Sequence, residues 1–353
     1  MTTDHLPPAA DAGHITEVLR RSGLPAGTSV REVAVESSRP TILSRIIRLR
    51  LGYDGTAAGA PDTLVLKTGL PDRIGSGWRA GPQEVAFYRD VAAATKPQTV
   101  PRCFEAFHDA TTEDWHLLLE DLTDTHALAT VWPLPPAAEQ CERIVGALAR
   151  FHAAWWDDPR LGRSVATWRD AAASDRLLRD LTACFTRFAD RLGDSLPRER
   201  RTLYEKLLDA GPRLFDRYHT RRNVTLIHGD AHVWNIFLPR DGGDDLRLFD
   251  WDGWRIGIAA SDLAYMMALH WYPDRRQRLE RTLLDRYHAT LLAQGVCGYD
   301  RQALHDDYRW AALWQMATPV FQAANNIPPV IWWNHMERIM LAVDDLGCRE
   351  LLS

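Results

Sequence analysis

The hydrophobic pattern changes period once along the chain, and that change limits the folds open to it more than any other feature. Before Asp121 the apolar residues alternate with polar ones or form short runs, as strands do, at residues 30–36, 42–51, 62–67, 102–107 and 115–120. One helical stretch interrupts them at 81–94, where Val85, Tyr88 and Val91 recur every third residue. After Asp121 the helical period takes over. Residues 137–156 carry Cys141, Ile144, Val145, Leu148, Phe151 and His152 on one stripe. Stretches 174–191 and 198–218 are also helical, 224–250 reads as strand, loop and strand, and helix resumes from Ser261. This order predicts an α+β chain in two parts, β-rich at 1–121 and mainly helical at 122–353.

Composition supports two such parts. Of 353 residues, 46% are hydrophobic and 25% charged, which excludes collagen-like, mucin-like and wholly disordered chains. With 42 basic against 47 acidic residues the net charge is −5, so neither nucleic acid nor a membrane surface is an expected partner. The five cysteines are odd in number and form no CxxC, as expected of free thiols in a reducing, cytoplasmic setting. The first residues lack a basic stretch followed by an apolar one, so no signal peptide is expected. No run of about 18 apolar residues marks a spanning helix. Only three basic residues are lysine: Lys67, Lys96 and Lys206. Where arginine is the default cation, a lysine closing an apolar run stands out, and Lys67 closes DTLVLK.

Residues 226–252, LIHGDAHVWNIFLPRDGGDDLRLFDWD, carry the chemistry. His228, Asp230 and Asn235 sit in a loop after an apolar strand. A Gly-rich turn at 241–243 then starts a return strand that ends at Asp250. Such a hairpin is expected to bring Asp250 beside Asp230 and Asn235. Two carboxylates and an amide are hard oxygen ligands, a set that suits Mg²⁺ bound together with phosphates. The spacing Asp-x₄-Asn is that of a kinase catalytic loop, in which Asp accepts the hydroxyl proton and Asn holds a metal. The first Asp of FDWD stands where the metal-binding Asp of DFG would stand.

On HGDAHVWN, LFDWD and ASDLAY the chain resembles the aminoglycoside phosphotransferase and choline-kinase-like superfamily of small-molecule kinases. The form HGD-x-H-x-x-N, in place of HRD, points away from protein kinases. The resemblance implies a bilobal protein-kinase-like fold, ATP or another nucleoside triphosphate with Mg²⁺ as cofactors, and a small-molecule hydroxyl as acceptor. It carries over Asp230 as catalytic base, Asn235 and Asp250 as metal ligands, and His228 and Asp262 as supports of the loop. It also implies a lysine on the third strand, supplied as Lys67, and a glutamate on the next helix, supplied as Glu84, 17 residues later. A fifth strand should run into a hinge that reads the base, here at Glu120 and Leu122. These pieces occur in order between Val30 and Leu269. One departs from the pattern: the turn expected at 36–41 contains no glycine, which leaves Ser37 and Ser38 as weak phosphate contacts.

Each residue also has a plainer reading. Asp and Asn are common in turns, most lysines are solvated, and Asp262 could be a helix N-cap. Glu84 alone would be an ordinary exposed helix residue, and His228 reads as scaffold rather than base. Lys67, Glu84, Asp230, Asn235 and Asp250 falling in register favours function over these readings. Asp252 is a candidate second metal group. A rival chemistry takes His228, Asp230 and His232 as a zinc or iron hydrolase cluster, but it leaves Lys67 and Glu84 unexplained. A nucleotide-binding pseudokinase is a further alternative, although Asp230, Asn235 and Asp250 are all present.

The stretch 310–336 carries no formal charge and holds Trp310, Trp314, Phe321, Trp332 and Trp333. It is either helix core or an acceptor wall. As a wall it would suit a weakly charged hydroxylated compound, or a quaternary amine, better than a polycation. Asp306 and Asp307 just upstream could restore acidity. The arginine-rich stretches 198–201 and 275–281 read as solvated helix faces.

Overall fold

The computed structural model describes residues 7–41, 43–70, 80–96 and 98–352. In chain order its helices and strands begin with α1 (Ala12–Arg21), β1 (Ser29–Pro40), β2 (Ser44–Asp54), β3 (Thr63–Gly69) and α2 (Ala80–Asp90). Next come β4 (Cys103–His108), β5 (Trp115–Glu120), β6 (His126–Leu128), α3 (Ala138–Ala154), α4 (Ala171–Leu192) and α5 (Arg198–His219). Four short strands follow, β7 (Thr225–Ile227), β8 (Ile236–Pro239), β9 (Arg247–Leu248) and β10 (Arg255–Gly257). The chain ends with α6 (Ala260–Ala264), α7 (Pro273–Ala293), α8 (Arg301–Trp314), α9 (Ala317–Ala324) and α10 (Pro329–Asp345). The fold is α+β, and the chain divides into two compact units.

The first unit comprises Met1–Ala127 and Phe237–Gly253. Its sheet is antiparallel in the order β1-β2-β3-β5-β4. Leu49, Leu51, Leu64, Leu66 and Leu118 form its apolar face and pack against Ile15, Val18 and Leu19 of α1. The strand pattern did not announce α1. Asp11 caps it by accepting the His14 backbone N–H at 3.0 Å, and Arg20 and Arg21 occupy its last turn.

A cut after Asp121 misses two pieces: residues 122–127 and 237–253 join the first unit. Hydrogen bonding explains this. The Leu248 N–H donates to the Thr99 carbonyl at 2.7 Å, and the Arg240 N–H to that of Thr125 at 2.9 Å. The Trp251 ring also stacks on Phe87, with centroids 3.9 Å apart.

The turn expected at 36–41 is a further correction. β1 runs through Pro40, so Ser37 and Ser38 are strand residues opposite Arg48 and Ile47. Glu36, which is paired with Arg48 at 2.7 Å and also with Arg50, favours continued pairing over a turn. Ser-Ser-Arg is turn-like in composition, but an exposed hairpin end tolerates it.

The second unit comprises Leu128–Ile236 and Trp254–Ser353. Within it α3 packs on α7, α4 on α5 and α9, α6 on α8, and α10 on α9. β7 and β10 form a two-stranded antiparallel ribbon. The stripe expected on 137–156 is the buried face of α3, including Cys141, Ile144, Leu148, Phe151 and His152. One arginine-rich stretch departs from a solvated face: Arg276 is buried and paired with Glu280 at 2.9 Å and with Asp345. Among the described residues no helix is long and apolar enough to cross a membrane.

Candidate functional site

Three sequence-predicted residues meet inside the first unit. Lys67 lies in β3 between Ile46 of β2 and Leu117 of β5, and only 8% of it is exposed. Its Nζ donates to Asp250 Oδ1 at 2.5 Å and lies 2.6 Å from Glu84 Oε2. Burial works against the Lys67 ammonium, but Glu84 and Asp250 outweigh it and raise its pKa above the usual lysine value. Burial also pushes the Glu84 carboxyl upward, opposed chiefly by Lys67. The two carboxylates differ in access: Glu84 exposes 2% of its side chain and Asp250 exposes 40%. Glu84 is thus the fixed counter-ion, and Asp250 presents a carboxylate outward. Asp250 has φ +67°, a left-handed conformation that few residues other than glycine adopt and that clusters at functional sites.

The other group belongs to the second unit. His228, Asp230 and Asn235 follow β7, as the sequence implied, and the last turn before β8 (233–235) is a short 3₁₀ helix. Asp262 pins this loop from below. Its Oδ2 accepts the His228 backbone N–H at 2.7 Å, and its Oδ1 accepts that of Gly229 at 2.9 Å. It makes no cap to its own helix, so the N-cap reading fails. His152 of α3 donates Nε2–H to Asp262 at 3.1 Å, while its Nδ1 accepts from Tyr287 at 2.6 Å. Burial alone would raise the Asp262 carboxyl; His152, His228 and the Gly229 N–H hold it below the usual value instead. The Asp230 N–H donates to His228 Nδ1 at 3.3 Å.

Asp230 itself is held on both oxygens. The Asn235 amide donates to its Oδ2 and to its main-chain carbonyl, each at 3.0 Å. Both contacts use the Asn235 amide nitrogen. The Tyr265 hydroxyl donates to Asp230 Oδ1 at 2.5 Å. Tyr265 opens a π-helical turn at Tyr265–Leu269, a distortion found often at functional sites.

The surroundings of Asp230 are aromatic. The His232 ring sits 5.4 Å from Trp234 and 5.5 Å from His270, and His270 lies 4.4 Å from His335. Burial drives the His270 pKa well below its usual value and that of His335 down to about 3, so both are neutral at pH 7. The nitrogens His232 Nδ1 and Trp234 Nε1 are buried and find no hydrogen-bond partner among the described residues. Tyr265, His270 and His335 were not singled out in the sequence. Tyr265 and His270 share one stretch, 262–270, which the sequence offers as an acceptor wall, and His335 joins them from α10.

Several expectations lose ground. Trp310 donates to the Leu214 carbonyl at 2.7 Å, Trp314 stacks on Phe215, and Trp332 packs on Phe188, so these tryptophans serve helix packing. Asp307 is buried in a two-pronged pair with Arg217, at 2.6 and 2.7 Å, and does not supply pocket acidity. Ser37 and Ser38 lose the turn on which their phosphate role rested. Glu120 spends its side chain on the Arg102 N–H at 2.7 Å and on Arg247 at 2.9 Å. Leu122 is buried, and its carbonyl accepts the N–H groups of Thr125 and His126. Asp252 sits half-buried in the short turn Trp251–Gly253. Among the described residues, His228, Asp230 and His232 do not gather their ligand atoms as a metal cluster would, which removes the hydrolase reading.

The sheet order and the helical second unit define a chain of the kinase-like fold class. The chain belongs to the phosphotransferase enzyme family, whose sequence profile matches residues 22–309, and it is a small-molecule kinase. A solved putative aminoglycoside phosphotransferase from Ralstonia eutropha is 13% identical, with a TM-score of 0.58 over 95% of this chain and 98% of that one. A choline kinase from Cryptosporidium parvum is 10% identical, with a TM-score of 0.58 over 91% of each chain. The GDP complex of an aminoglycoside 2′-phosphotransferase is 11% identical, with a TM-score of 0.51 over 96% of this chain and 98% of that one. No curated protein matches the chain in sequence.

Proposed function

We propose that the protein transfers the terminal phosphoryl group of ATP, or another nucleoside triphosphate, to a hydroxyl of an uncharged small molecule. Lys67, oriented by Glu84, grips the phosphates with a compact ammonium that arginine would not reproduce. The main chain of the Glu120–Leu122 segment contacts the base, the Glu120 side chain being tied to Arg102 and Arg247. Asn235 and Asp250 are the Mg²⁺ ligands; their hard oxygens fit that ion. The metal, when bound, neutralises charge on the phosphates. Asp230 orients the acceptor hydroxyl and takes its proton as the new P–O bond forms and ADP leaves. Asp262 and His228 keep the loop in place for this step. Catalysis comes from positioning and charge compensation.

The observation that carries this reading is Lys67 held between a buried Glu84 and an outward-facing Asp250. The relatives' names, aminoglycoside phosphotransferase and choline kinase, support a small-molecule acceptor. The neutral His270 and His335 and the aromatic rings of Trp234 and Tyr265 favour an uncharged hydroxylated compound over a polycation, since such rings offer no carboxylate to replace the water around several ammonium groups. Five free cysteines fit a reducing, cytoplasmic setting. The test is an ATP-consumption screen across uncharged sugars, choline and aminoglycosides, with Asp230→Asn as control. Acceptor-dependent turnover should fall on the order of 10²–10⁴-fold in that variant. A rate unchanged by Asp230→Asn refutes the mechanism, and a flat panel with nucleotide still bound supports a pseudokinase.

A further inference from the structure

The first unit carries a second cluster of chemistry-bearing side chains that phosphoryl transfer does not use. His14 comes from the first turn of α1, Glu105 from β4 and His116 from β5. Their ligand atoms lie within 4.8 Å of one another. We propose that His14, Glu105 and His116 form a binding site for a divalent transition metal of the Zn²⁺ class, which clips α1 to the sheet.

The local structure builds this arrangement. A bulge in β4 between Cys103 and Glu105 shifts the register, so that Glu105 pairs with Leu118 and Phe107 pairs with His116. Glu105 then stands diagonal to His116 on the same face, a spacing that long side chains can bridge. Both imidazoles point Nε2 at one carboxylate oxygen. His14 Nε2 is 2.6 Å from Glu105 Oε2, and His116 Nε2 is 2.8 Å from it. The other oxygen, Oε1, accepts from Arg21 at 2.8 Å, which aims Oε2 at the two rings. The Phe107 ring stacks on His116 at 5.0 Å and fixes its orientation. Orienting contacts of this kind are what tune a metal site beyond its direct ligands.

The donor set selects the ion. Two imidazoles and a carboxylate suit Zn²⁺, Cu²⁺, Ni²⁺ or Fe²⁺ rather than Mg²⁺. Bonds of roughly 2.0–2.2 Å in tetrahedral geometry put ligand atoms roughly 3.4 Å apart. The oxygen therefore retreats by less than about 1 Å from each nitrogen when the cation replaces the two Nε2 protons. His14 exposes 36% of its side chain, against 15% for Glu105 and 13% for His116. Entry is therefore from the His14 side, and a water completes the coordination there.

The test uses the full chain, stripped of metal and free of nucleotide, titrated with Zn²⁺ by calorimetry. Wild type should bind one more equivalent than the His14→Gln/His116→Gln double variant. Each single substitution should weaken that equivalent by on the order of 100-fold or more, since loss of an outer-shell partner already costs about 10–100-fold. Zn²⁺ should raise the thermal midpoint of wild type and not that of His14→Gln, a mild change at a partly exposed position whose fold is checked by circular dichroism. Equal stoichiometry and affinity in wild type and the double variant would overturn the site. So would a wild type that takes up no Zn²⁺, leaving the three residues as a hydrogen-bonded clip only.

Discussion

Lys67 and Asp230 are both held by carboxylate-bearing frameworks, yet the two frameworks work differently. Around Lys67 the device is charge balance away from water: one ammonium, one buried carboxylate, one outward carboxylate. Around Asp230 it is a scaffold, in which Asp262 is bonded to backbone N–H groups and aromatic rings pack beside the loop. In the first group every member is tied to folding. In the second the carboxylate proposed to react, Asp230, is separate from Asp262, the carboxylate that holds the loop. Asp230 should therefore be replaceable without unfolding the chain, whereas removing the cation at Lys67 should destabilise it.

The largest expected effect tests that contrast directly. Lys67→Ala strands Glu84 as a buried charge, and breaking such a pair costs roughly 3–5 kcal/mol. Urea denaturation should show that loss, and Lys67→Ala combined with Glu84→Gln should recover most of it. A stable Lys67→Ala single variant would mean that the pair is not load-sharing in the fold. Next in size, Asp262→Ala leaves two buried N–H groups without an acceptor, at roughly 1–3 kcal/mol each. Asp230→Asn, measured beside it, should lose clearly less, since it keeps one acceptor oxygen and strands no buried backbone N–H; equal losses would erase the distinction between scaffold and proposed base.

Tyr265→Phe removes one hydrogen bond to a charged group, worth about 1.5–3 kcal/mol in that class. We expect a lower kcat with little change in the nucleotide KM, read from steady-state kinetics. An unchanged kcat removes Tyr265 from the positioning of Asp230. The smallest effect concerns pH. Unfolded His335 takes up a proton near 6.5, whereas the folded ring stays neutral down to about 3. Between those values the unfolded state binds the extra proton, so stability should fall as pH drops through that window. His335→Gln should flatten that part of the curve, as measured by urea midpoints at several pH values.

The two regions also differ in how far the sequence reveals them. Lys67 and Glu84 sit in a regular strand and the helix that follows it, so the lysine-then-glutamate order that the resemblance implies could be matched directly. Asp250 required the additional inference that the chain turns back at Gly242 and Gly243. The Asp230 loop was legible as a motif, but its supports were not. His152, Tyr287, His270 and His335 arrive from α3, α7, the turn after α6 and α10, and only tertiary packing joins them. Ser37 and Ser38 mislead for the opposite reason: turn-like composition was overridden by cross-strand pairing through Glu36 and Arg48. The tryptophans of 310–336 were ambiguous until their partners Leu214, Phe215 and Phe188 were known.

The central claim is that Lys67 serves the nucleotide and Asp230 serves the acceptor. Calorimetric titration of ATP with Mg²⁺ into wild type, Lys67→Arg and Asp230→Asn tests it most directly. Lys67→Arg keeps a cation against Glu84 and Asp250, so its fold should persist while the phosphate grip is lost. The account predicts near-wild-type ATP affinity for Asp230→Asn and at least a tenfold loss, about 1.4 kcal/mol, for Lys67→Arg. Equal affinity in all three proteins, or a loss confined to Asp230→Asn, would contradict it.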